Sequence, residues 1–240
     1  MNNNKPAAFI NKKNLKEILG QKFLAHMLGL LDGMNRLTSL WDFLVLNYDL
    51  DNASNDIRFK RNFTNGVVLS MGILWEIYHK IIDISKTKIV QQNVKIRDKI
   101  DDLIKFYGKS YQIDLLRNFR NQLSFHIDHC NICQGIDEID KDDVRFIVCD
   151  KKTRTVDCNY EFAQEASLSG FIRDNKILFF QLLDLKDLSG TLDDEFIEKA
   201  LDKLMSYLRK LHEDLMLNIE ELIILIVGEF KLETITKTVQ

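Results

Sequence analysis

"LLRNFRNQLSFHID", residues 115–128, sets two arginines and a histidine among apolar side chains. Arg117, Arg120, Asn121 and His126 share the stretch with Leu115, Leu116, Phe119, Leu123, Phe125 and Ile127. A packed core does not take charged groups without partners, and a solvated helix face does not select phenylalanines. On a wheel of about 100° per residue, Leu116, Phe119, Leu123, Ile127 and Cys130 form a stripe roughly 80° wide. Arg120 and His126 flank that stripe, roughly 120° apart, at the border of packed and exposed surface. Arg117, Ser124 and Asp128 point further toward solvent, and Asn121 lies almost opposite the stripe. One helix alone does not join Arg120 to His126. A second copy packed on the stripe across a two-fold axis would, because isologous contacts generate reciprocal pairs.

The sequence around this stretch is helical in pattern. Leu15, Ile18, Leu19, Phe23, Met27, Leu30 and Leu31 recur at helical spacing. Asp32 and Gly33 predict a break, with a second helix over about 34–48. Residues 49–56 read as a loop. Residues 63–85 read as a long buried helix in which Gly66 and Gly72 mark close packing. "VKIRDKIDDLIKFYG", residues 94–108, is amphipathic and stops at Gly108, and Ser110 is the expected cap of the next helix. After about residue 133 the period changes to two. Val144, Phe146 and Val148, then Val156, Cys158 and Tyr160, flank a polar turn, which predicts a β-hairpin over about 144–161. Helical spacing resumes over 162–188 and again from about Asp193. There Ile197, Leu201, Leu204, Leu208, Leu211 and Leu215 alternate steps of three and four. Such a seam needs a partner helix, from the same chain or from a second copy; the same chain is favoured.

Bulk properties agree. The chain has 240 residues, one proline and ten glycines, and residues that interrupt helices are therefore scarce. The expectation is an all-α helical bundle with a small β-hairpin insertion: a flexible tail at 1–12, then a single domain over 13–240. A net charge of -3 argues against coating nucleic acid broadly, since such affinity comes from many phosphate contacts. It leaves room for local contact through a few arginines. The start lacks the apolar segment of a signal peptide, and the run "LIILIVG" at 222–228 is too short to span a bilayer. A cytoplasmic protein with no membrane partner is expected, with Cys130, Cys133, Cys149 and Cys158 as thiols.

An arginine and a histidine on one cleft suit cleavage of an RNA backbone. Guanidinium presents a planar, permanently charged fork that matches phosphate oxygens. Imidazole titrates near neutrality and moves protons. The nucleophile is the neighbouring 2′-hydroxyl of the substrate itself, so no metal or other cofactor is called for and DNA should be inert.

"RNQLSFH", residues 120–126, resembles the R-x(4–6)-H motif of the HEPN superfamily. That resemblance implies an all-helical, metal-independent ribonuclease of toxin–antitoxin or antiviral defence systems. Arg120 and His126 would line a cleft formed by a homodimer, and Asn121 stands where the superfamily often has a polar residue. The predicted hairpin and "NYEFAQE" resemble a subset of these proteins, over about residues 60–185. Catalytic roles go to Arg120 as phosphate clamp and His126 as general acid or base. Asn121 and Arg117 are support or RNA-binding candidates. RNA is the substrate, and an antitoxin or defence-system protein the further partner that the resemblance implies.

Other readings of the same residues stay open. Some members of that superfamily are non-catalytic scaffolds that bind a partner protein. In the corresponding structural reading, Arg120 bridges to an acidic residue and His126 donates to a backbone carbonyl. His126, His129, Cys130 and Cys133 could instead hold zinc, with Cys149 and Cys158 in reach. His26, His79 and His212 fall within helical patterns and read as core-edge or surface residues.

Overall fold

A computed structural model describes residues 5–10, 12–46, 57–124, 161–184, 194–232 and 234–239, with Cys133 and Ile136 besides. Among them the fold is all-α, apart from one terminal ribbon. The elements are β1 (Lys5–Ile10), α1 (Lys12–Leu19), α2 (Gln21–Leu46), α3 (Ile57–Ser85), α4 (Lys88–Gln92), α5 (Val94–Phe106) and α6 (Ser110–Asn118). A π-helical turn, Phe119–Ser124, continues α6, and α7 (Glu161–Asp174), α8 (Lys176–Leu182), α9 (Asp194–Glu229) and β2 (Thr234–Val239) follow. The predicted hairpin lies outside the described residues except at its last position, Glu161, which opens α7.

The chain divides into two compact units; three of the four boundaries fall inside the long helices α2, α3 and α9, and the fourth at the end of α5. The first unit holds residues 1–34, 77–106 and 213–240. Four helices each bring it an apolar seam in steps of three and four: Phe23, Met27, Leu30 and Met34; Ile77, Ile81 and Ile84; Ile96, Ile100 and Leu103; Leu215, Ile219, Leu222 and Ile226, all buried. Each such side chain stabilises the fold by roughly 1.5–3 kcal/mol relative to exposure. Charge stays outside. Lys95 donates to Glu229 at 2.6 Å, and Lys99 pairs with Glu221 and donates to Asn218. Beside Lys95, Asn93 also donates to Glu229, and together they hold its carboxyl below the ordinary glutamate range.

Two expectations for this unit need correction. The predicted break at Asp32–Gly33 is absent, because α2 runs through it. Gly33 serves close packing instead: a Cβ there would stand 2.9 Å from Ile77 Cγ1. The break comes earlier, at Gly20, whose φ of 69° lies in the left-handed region that favours glycine. Residues 5–10, expected within a flexible tail, pair antiparallel with β2, from Lys5 opposite Val239 to Ile10 opposite Thr234. β-branched residues at five of the six β2 positions favour the extended backbone.

The second unit holds residues 35–76 and 107–212. Its core includes Val67, Met71 and Leu74 of α3, Leu115 and Leu116 of α6, and Leu204, Leu208 and Leu211 of α9. Phe119 packs against Phe171 with the rings tilted by 51° and their centroids 4.3 Å apart, and Phe171 meets Phe179 edge-on at 6.2 Å. The α9 seam is thus covered within the chain, Leu204 through Leu211 here and Leu215 in the first unit. Tyr107 is fully buried and donates to the carbonyl of Leu74, while Tyr207 donates to the carbonyl of Tyr107. Burial pushes the Tyr207 phenol up, with the neighbouring Tyr111 adding to the shift. His212 is also buried, its ring 5.7 Å from that of Trp41.

A candidate arginine site on a π-helical turn

The helix carrying the motif begins one residue earlier than its serine suggests. Lys109 is the cap, and its backbone N–H donates to the side chain of Gln112 at 2.8 Å; Ser110 is the first helical residue. The backbone is α-helical through Asn118 and then widens into the π-helical turn. Such turns are rare and concentrate at functional sites. At the junction the Phe119 N–H reaches the carbonyls of both Leu115 and Leu116.

Inside the second unit, three amides hold this turn. Asn118 donates to Asn175 at 2.6 Å, and Asn175 donates to Gln122 at 3.0 Å and to the carbonyl of Phe171 at 2.8 Å. Asn175 sits between α7 and α8 and is 4% exposed. Its own backbone carbonyl accepts from Leu178 and Phe179, so one buried residue closes α7, opens α8 and fixes the turn. A buried amide left without partners costs about 1–3 kcal/mol, which makes this network specific as well as stabilising.

Arg120 stands midway between Asn118 and Gln122 in sequence. Its Nε donates to Glu76 Oε1 of α3 at 3.0 Å, and its Nη1 donates to Asn121 Oδ1 at 3.2 Å. Arginine and glutamate are both part-exposed, at 35% and 48% of side-chain surface. In that setting the pair adds about 0–1 kcal/mol, so its main consequence is to orient the guanidinium. Asn121 is exposed, in line with its place opposite the apolar stripe, and touches the arginine directly. Arg117 points to solvent and pairs along its own helix with Asp114 at 2.9 Å.

His126, His129 and Cys130 lie outside the described residues, as do Cys149 and Cys158; Cys133 is exposed. Among the described residues no group of histidine, cysteine and carboxylate side chains could hold a metal ion, and no helix is long and apolar enough to cross a membrane. Sequence reading missed Glu76, Asn118, Gln122 and Asn175. Only Glu76 left a trace: it is the first acidic residue of α3, following a run that is apolar from Val67 to Trp75 except for Ser70 and Gly72. No family model, curated protein or solved structure matches the chain.

Proposed function

We propose that the chain is a metal-independent endoribonuclease of the HEPN type, a toxin or antiviral defence effector. Arg120 clamps the scissile phosphate and His126 moves the proton. The observation that carries this reading is the hold on Arg120: one motif arginine on a π-helical turn, oriented by Glu76 and Asn121 and flanked by two anchored amides. Electrostatic catalysis depends on charge that is already oriented when the transition state forms. The spacing of Arg120 and His126 supplies the second member. In the reaction, His126 as base takes the 2′-hydroxyl proton as that oxygen attacks phosphorus. The 5′-oxygen departs with a proton from an acid, leaving a 2′,3′-cyclic phosphate. Arg120 stabilises the charge that develops on the phosphoryl oxygens.

A homodimer completes the site by joining Arg120 of one protomer to His126 of its partner. Mixing inactive Arg120→Ala and His126→Ala proteins under subunit exchange tests this. A composite site regains cleavage, because one of the two reciprocal Arg120–His126 pairs in the mixed dimer keeps both side chains. A site built within one protomer stays silent. RNA with 2′-O-methyl groups should resist cleavage in every case.

The Arg120–Glu76 pair also favours a second reading, in which Arg120 is a structural ion pair and the chain a scaffold for a partner protein. That reading predicts no turnover with any RNA, and unaltered partner binding on replacing His126.

A further inference from the structure

Among the described residues, position and orientation of Arg120 are held from different elements. Backbone position is set by Asn118 and Gln122, two residues before and two after the arginine, both tied to Asn175. Side-chain orientation is set by Glu76, 44 residues away on α3, through Nε. A guanidinium is one rigid plane with five donors. Two bonds to that plane, from Nε to Glu76 and from Nη1 to Asn121, leave it little rotational freedom.

We propose that Glu76 is a positioning residue for Arg120, fixing the guanidinium plane for the phosphate of an RNA substrate; this rests on the ribonuclease reading above. What Arg120 needs from position 76 is an acceptor oxygen at Nε. Glutamine supplies that oxygen and alanine does not. The opposite role, an anionic gate that competes with phosphate for the arginine, depends on the charge alone. Under a gate, glutamine and alanine would both tighten RNA binding and speed cleavage.

The test compares wild type, Glu76→Gln and Glu76→Ala, with Arg120→Ala to identify the resonance. Glu76 is exposed, so both variants should fold, which thermal melting checks. The first readout is the 15N–1H cross-peak of Arg120 Nε. The second is single-turnover cleavage of total RNA alongside affinity for 2′-O-methyl RNA. The expected result is a protected cross-peak in wild type and Glu76→Gln that is lost in Glu76→Ala. Cleavage should fall by ~10²-fold in alanine, the scale of an ångström-level misplacement, with affinity nearly unchanged, and glutamine should restore most of it. A cross-peak that survives in Glu76→Ala overturns the proposal, as does faster cleavage in both variants. A wild type that cleaves nothing, with the cross-peak still lost in alanine, would keep the clasp and sink the ribonuclease reading instead.

Discussion

The two units solve the same packing problem with different interiors. In the first, four helices offer regular apolar seams, and the polar contacts of Lys95, Lys99, Glu221 and Glu229 lie outside them. In the second, an amide network, two tyrosine-to-carbonyl contacts and a π-helical turn are built into the packing itself. Regular seams are enough to make a stable bundle. Departures from regularity cost stability unless satisfied, and proteins keep them chiefly where a site must be held. The irregular unit is the one that carries the motif arginine.

The comparison can be broken at graded positions. Phe119→Ala removes a buried ring packed against Phe171, and should cost about 3–5 kcal/mol in denaturant unfolding. A loss well under that range would mean the turn is not anchored by its core side. Asn175→Ala should cost about 1–3 kcal/mol, because Asn118 and Gln122 lose their shared buried partner. Amide hydrogen exchange should rise across 118–124 and stay unchanged in α5. Uniform exchange in the variant would show that the amides do not fix the turn.

Smaller effects sharpen the contrast. Tyr207→Phe should cost about 0.5–1.5 kcal/mol near neutrality. Its phenol is raised in the folded state by burial, so its stabilisation is full below the ordinary tyrosine value near 10 and fades as pH climbs through the folded value. Wild type should therefore lose stability in alkali more steeply than the phenylalanine variant. The smallest effect is expected from Glu229→Gln in the first unit. Glu229 is depressed by Lys95 and then Asn93, so its contribution is present above the ordinary value of 4.5 and lost as pH falls through the folded value. Melting curves of wild type and variant should converge in acid. Salt should shrink the gap above that range, whereas the Asn175 effect should not respond to salt.

Much of the fold was legible because seams are local. Ile96, Ile100 and Leu103 sit in one amphipathic helix, and the repeat through Leu204, Leu208, Leu211 and Leu215 called for a partner within the chain. Gly33 misled because glycine in a helical pattern reads alike as a break or a close contact. Only the proximity of Ile77, from another helix, decides between them. The same limit hid the rest of the site. Arg120 and Asn121 could be singled out by type and spacing. Glu76 and Asn175 meet the turn from 44 and 53 positions away in the chain, a relation that no local period encodes. The π-helical turn also departs from an even wheel of about 100° per residue.

One assay reaches the central claim most directly: incubation of total RNA with purified wild type, Arg120→Ala and His126→Ala in EDTA, followed by end-group analysis. The predicted result is cleavage by wild type alone, leaving 2′,3′-cyclic phosphate ends. The alanine variants should be slower by about 10² to 10⁴-fold, the usual contribution of a general acid or base. Equal cleavage by all three proteins, or activity that EDTA abolishes and zinc restores, would contradict the arginine–histidine site.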